Sequence, residues 1–155
     1  MLEEVRFYHL QRQSLEAAFP KLLEKVMGRG LRCFVRVPDQ DVLDRLDRAL
    51  WAYDPVSFLP HGTAASPHAA LQPVYLAAGD DAIADPPNDP DVLILINGGA
   101  LPDAPHPYKL CLYMFDGHDD AIVQSARADW LHFKAKAENQ SYWQQKEQGG
   151  WEQKA

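Results

Sequence analysis

Two periods of apolar and polar residues take turns along this chain. Residues 4–10 alternate with a repeat of two and carry the adjacent rings of Phe7 and Tyr8, which predicts a strand. Ser14 can cap a helix running to about Met27, with Gly28 or Gly30 ending it. Pro20 falls inside that span. Because proline is tolerated in a first turn, regular helix is expected to begin nearer Phe19. Leu31–Val37 reads as a second strand, and Pro38-Asp39 as a turn plus the N-cap of a helix over about 40–53. In that helix Val42, Leu43, Leu46, Ala49, Leu50 and Tyr53 share one face, while Asp41–Arg45 and Asp44–Arg48 have i, i+4 spacing on the other. The helix runs without a spacer into an apolar, proline-bounded segment. Its second half, Ser57-Phe58-Leu59-Pro60-His61, reads as a small edge element that exposes or half-buries Phe58.

Residues 60–73 read as a loop, Val74–Ala77 as a short strand and 78–90 as an acidic, proline-rich loop. Two continuous apolar runs follow, over 91–97 and 109–115, with a turn region at 98–107 between them. Such runs mark strands covered on both faces. Asp116–Asp120 supplies a cap and first-turn acids for a last helix, roughly 119–138. Strands alternating with helices predict an α/β three-layer, Rossmann-like sandwich with a mostly parallel central sheet. The expected organisation is a single domain over residues 1–140 and a polar tail over 141–155 that carries Tyr142, Trp143 and Trp151.

Composition narrows the function. At 155 residues the chain can bury one core. No apolar run approaches the ~20 residues needed to span a bilayer. Met1-Leu2-Glu3-Glu4 lacks the basic-then-apolar layout of a signal peptide, so a cytoplasmic protein without membrane association is expected. A net charge of −7 weighs against broad nucleic-acid binding. Cys33 and Cys111 lie in apolar runs and read as buried thiols, and no Cys-x-x-Cys or Cys/His spacing suggests zinc. Asp80, Asp81, Asp85, Asp89 and Asp91 do not follow a calcium loop, and the prolines among them point to a solvated acidic loop. The six histidines read as solvated or capping residues. No catalytic grouping, metal site or cofactor is expected. The phosphate-binding signatures of a doubly wound sheet are missing, and Gly98-Gly99 is the only glycine pair at a predicted strand end.

The last helix carries more chemistry. Ile122, Ala126, Trp130, Phe133 and Ala137 form an apolar stripe that should face the sheet. Beside it stand Arg127, Trp130, Leu131 and Lys134, spaced i, i+3, i+4, i+7. Two cations flanking a ring and a leucine suit a short acidic peptide ending in an aromatic residue. A helix with ordinary solvated cations has the same pattern.

Several segments together resemble one family. They are Phe7-Tyr8-His9-Leu10, Arg45-Leu46-Asp47-Arg48-Ala49-Leu50-Trp51-Ala52, Ser57-Phe58-Leu59-Pro60-His61, the Val92–Asn97 strand and Ala126-Arg127. From about Val5 to about Trp151 the chain is similar to the chi subunit of the bacterial DNA polymerase III clamp-loader complex, and its C-terminal stretch looks alphaproteobacterial. The resemblance implies a Rossmann-like fold without nucleotide chemistry or enzymatic activity. It implies an adaptor that joins the clamp loader, through a psi-type subunit, to the acidic C-terminal tail of single-stranded DNA-binding protein. The tail site it implies falls on Arg127, Trp130, Leu131 and Lys134, with Leu131 where the family has a lysine. The psi-binding surface it implies includes Phe58, a surface for which a DNA-repair helicase competes in some members. Two alternatives remain at this point: an adaptor for such a helicase, or a Rossmann-like nucleotide-binding protein using Gly98-Gly99.

Overall fold

A computed structural model describes residues 2–53, 60–63, 68–79, 83–99, 106–148 and 150–155. The elements in chain order are β1 (Leu2–Leu10), α1 (Leu15–Gly28), β2 (Cys33–Val37), α2 (Gln40–Ala52), β3 (Gly62–Thr63), a 3-10 turn (Ala69–Leu71), β4 (Val74–Ala78), β5 (Val92–Ile96), β6 (Leu110–Asp116), α3 (Asp120–Phe133), β7 (Ala137–Gln145) and β8 (Trp151–Gln153). They form one 8-stranded sheet in the order β3-β4-β2-β5-β6-β1-β7-β8. Every neighbouring pair is parallel except β7–β8. The fold is the expected α/β three-layer sandwich with a mostly parallel sheet.

Local chemistry explains the elements. The Ser14 hydroxyl accepts from the Ala17 amide (3.2 Å), and α1 starts there rather than near Phe19. The helix runs through Pro20, whose ring is buried. Pro20 is the sixth residue of α1, so the Glu16 carbonyl lacks its i+4 donor there, and the ring packs among the buried residues of the helix. Asp39 caps α2 by accepting from Val42 (2.9 Å). The two i, i+4 ion pairs expected on α2 are replaced: Arg45 reaches Glu16 on α1 (3.2 Å), and Arg48 donates to the Asp44 carbonyl (3.3 Å). β5 is buried along its whole length, as its unbroken apolar sequence requires. Most of the small edge element expected at 57–61 lies outside the described residues; the strand at the sheet edge is Gly62–Thr63, paired to β4.

Pleat alternation sorts the side chains into two cores. Tyr8, Leu10, Cys33, Val35, Ile94 and Met114 face α1 and α2. Val5, Phe7, Phe34, Leu93, Cys111, Tyr113 and Phe115 face α3. The two thiols are therefore free, buried and on opposite sides of the sheet. Burial pushes Cys33 up to about 12 and raises Cys111 as well, so neither is a ready nucleophile.

The largest departure lies at the C-terminal end. The last helix stops at Phe133 instead of about 138, and residues 141–155, expected as a polar tail, hold most of β7 and all of β8. β7 pairs in parallel with β1 from Leu2↔Ala137 to His9↔Gln144. Its sequence, Ala-Glu-Asn-Gln-Ser-Tyr-Trp-Gln-Gln, lacks the apolar run that marks a covered strand. Backbone pairing with β1 holds it, together with the rings of Tyr142 and Trp143, which pack on opposite faces of the sheet.

Candidate functional site

The candidate docking face is the outer side of α3. Asp119 anchors the helix by accepting from Ala121 (3.0 Å) and Ile122 (3.3 Å). Beneath it, Tyr113, Phe7 and Tyr142 occupy one register row on three adjacent strands. Phe7 stacks on Tyr113 (centroids 4.4 Å, interplanar 16°) and, more distantly, on Tyr142 (6.4 Å, 13°). Phe133 and Ala126 press down onto this row and are buried, as the apolar stripe predicts. Trp130 stands edge-on to Phe7 (5.3 Å, 75°) and to Tyr142 (5.7 Å, 80°), half in the core and half out. Leu131 is 65 % exposed. Arg127 and Lys134 are exposed as well. Lys134 is the C-cap and keeps right-handed helical dihedrals, so it holds its place in the stripe, about 10 Å along the axis from Arg127. The structure thus brings all four predicted residues onto one solvent-facing stripe. Phe58 lies outside the described residues.

Buried polar groups border this face at the C-terminal end of β1. The His9 ring is buried, and its Nδ1 lies 2.7 Å from the Tyr142 hydroxyl. Burial, then the charges of Arg127 and His118, hold the His9 pKa below its ordinary value. Burial raises Tyr142, against the opposing pull of Gln144 and Arg127. Gly117 is required here, because a Cβ would sit 2.2 Å from the Leu10 carbonyl oxygen and 2.3 Å from His9 Nε2. His61 is also buried, its Nε2 2.8 Å from Asp47 Oδ1. The reading of the histidines as solvated or capping residues fails for these two. Both follow strongly apolar or aromatic segments, which is the signal that could have placed them inside.

A sheet of this type commonly offers backbone N–H groups at its first strand–helix loop to a phosphate. Here the buried Gln145 side chain fills that role internally. Its Oε1 accepts from the amides of Gln11 (3.0 Å), Arg12 (2.9 Å) and Gln13 (3.0 Å), while its Nε2 donates to Gln13 Oε1 (2.8 Å). Sequence reasoning missed this residue because it lay in the supposed tail. Gly98 and Gly99 have φ values of 129° and 126°. The Gly98 carbonyl accepts from Arg36 Nη1 (2.7 Å), and a Cβ on Gly99 would lie 3.0 Å from Leu95 Cδ2. These contacts give the glycine pair a packing role. Among the described residues no group of three or more His, Cys, Asp or Glu could hold a metal, and no helix is long and apolar enough to cross a membrane.

At the other end of the sheet, α2 presents Trp51, 61 % exposed, with its ring 5.0 Å from His61. This aromatic lies in the last turn of α2, close in sequence to Phe58, and the sequence reading does not single it out as a site residue.

The mostly parallel sheet with helices on both faces defines a Rossmann-like α/β domain. The sequence profile described as DNA polymerase III chi subunit, HolC, matches residues 2–140. The chain belongs to that family, which is an accessory subunit of DNA polymerase III. It is also similar to a protein of Rickettsia prowazekii (strain Madrid E) described as probable DNA polymerase III subunit chi, 27 % identical over 96 residues. That match covers 62 % of this chain and 56 % of the relative, so the chain spans about half the length of the curated relative it matches.

Proposed function

We propose that this chain is a non-enzymatic adaptor of the replication machinery, acting in the cytoplasm. On this reading α3 binds the acidic C-terminal tail of single-stranded DNA-binding protein, and the α2–Phe58 end binds a psi-type clamp-loader subunit. The observation that carries the tail assignment is the exposed stripe Arg127, Trp130, Leu131, Lys134 in a chain of net charge −7. Two cations bracket an apolar step formed by a half-buried ring and an exposed leucine. A terminal aromatic side chain can rest against Trp130 and Leu131 while its carboxylates meet Arg127 and Lys134.

The test is titration of a labelled tail peptide at low and high salt. Arg127→Glu should remove most of the affinity, because it turns attraction into repulsion. Leu131→Lys should tighten binding by restoring the family's cation. Added salt should weaken every complex, since exposed charges are screened over ~8 Å near physiological ionic strength. Equal affinity for the parent and Arg127→Glu would place the tail elsewhere. At the other end, Phe58→Ala and Trp51→Ala should each weaken partner capture by roughly 2 kcal/mol, the scale of an aromatic hot spot, with the thermal melt intact. Capture of a repair helicase with no clamp-loader subunit would reassign that end.

A further inference from the structure

The opposite face of the sheet carries a second concavity. A hollow of about 390 Å3 opens between α1 and the strands β1, β7 and β8. Its apolar lining comes from Ala18, Leu22 and Met114, with Tyr8, Trp143 and Trp151 as an aromatic wall. Trp151 stands edge-on to Tyr8 (5.0 Å, 67°). Arg6, Lys21 and Lys25 add three cations, Gln13, Gln145 and Gly150 complete the lining, and no acidic residue contributes to it. Lys21 and Lys25 are exposed, one turn apart on α1, and neither forms an ion pair among the described residues. The neighbouring acids are engaged with other groups: Glu4 with Arg6, Glu147 with Arg12, Glu152 with Lys154 and Glu24 with the Tyr53 hydroxyl.

We propose that this hollow is a second peptide site, for an acidic segment with one large apolar side chain flanked by carboxylates. The volume lies in the range of small-ligand pockets and admits one such side chain against Trp143, Trp151 and Met114. The flanking carboxylates then meet Lys21 and Lys25. Charge complementarity sets the partner: in a chain of net charge −7, Lys21 and Lys25 stand beside an apolar floor without an ion pair among the described residues, Arg6 being engaged by Glu4. A short acidic segment is favoured over single-stranded nucleic acid, which also stacks on aromatic rings beside cations. Phosphates extending past the hollow leave the reach of Lys21 and Lys25 and run along a chain of net charge −7, whereas a segment with few charges stays beside the lysines. The site lies across the sheet from α3, and its occupancy does not depend on the tail assignment there.

The experiment uses Arg127→Glu as background, so that the α3 face cannot contribute. The probe is a fluorescein-labelled, amidated peptide of aspartates around one central phenylalanine. It should bind this background and shift the methyl resonance of Met114. Adding Lys21→Glu and Lys25→Glu should weaken it by about tenfold or more, and the pair Lys21→Gln, Lys25→Gln should give an intermediate loss. The neutral pair covers the case in which charge reversal disturbs α1. Absence of binding in the Arg127→Glu background overturns the proposal, as does binding that leaves Met114 unmoved. An oligothymidylate of matching length that binds more tightly, shifts Met114 and is lost with the same lysine changes would reassign the hollow to nucleic acid.

Discussion

The two faces of the sheet solve the same covering problem differently. The face under α1 and α2 is lined mainly by aliphatic side chains, among them Leu10, Leu23, Leu46, Leu50, Ile94 and Ile96. Two helices cover it, and branched chains fill the space between. The face under α3 has a single helix among the described elements, and its core is built from rings: Phe7, Phe34, Tyr75, Tyr108, Tyr113, Phe115 and Phe133. A ring spans more of the sheet than a leucine does, so fewer covering elements are needed. Trp130 closes one edge of the row with only half of its surface, and Leu131 stands outside it. The residues proposed to dock the peptide therefore lie at the margin of the aromatic core rather than being a separate addition to it.

Breaking each core in turn sharpens the contrast. Phe7→Ala should cost about 4 kcal/mol and Leu46→Ala about 3 kcal/mol, both read by chemical denaturation. Only Phe7→Ala should also weaken tail-peptide binding, because Trp130 rests on that ring. Equal loss of peptide affinity in both variants would show that the faces are not independent.

Gln145→Ala should cost about 2 kcal/mol by leaving three backbone donors in the first strand–helix loop without their shared acceptor. The same variant should leave α3 peptide affinity unchanged.

The smallest effect concerns pH. His9 is packed against Phe115 and Tyr142 beside Gln144, and its pKa is lowered from 6.5, first by burial and then by the charges of Arg127 and His118. The unfolded chain then binds a proton at a higher pH than the folded one. This contribution is complete above 6.5, declines as pH falls through 6.5 towards the lowered value, and levels off below it. Denaturation midpoints across this window should fall more steeply for the parent than for His9→Gln. Parallel slopes would remove His9 as the source.

Legibility from sequence followed the strength of the apolar signal. β5 and β6 are uninterrupted apolar runs, and the caps at Ser14 and Asp39 stand where their helices begin. The α3 stripe was readable because a helix fixes which residues share a face. β7 was not readable, because a polar strand is held by its neighbour's backbone and its own sequence carries no periodic mark. Missing it hid Gln145, Tyr142 and the aromatic wall of the α1-side hollow together. Leu31–Val37 was read two residues long, and α3 five residues long, since the turn into β7 has no glycine or proline to announce it.

The Gln145 contacts also bear on how the chain reaches this state. They join residues 11–13 to a position 132 to 134 residues away, and β1 has β6 on one side and β7 on the other. A ribosome delivers residues 2–10 long before 110–116 and 137–145. Throughout that interval an aromatic strand has two open edges and no partner for either, the condition under which strands pair with the wrong chain. Loop closure over so long a span is slow. A chain halted at residue 136 would keep β1 paired on one side only. β1, made before either neighbour, is thus secured only after both have emerged, and until then it is a stretch of nascent chain that needs shielding.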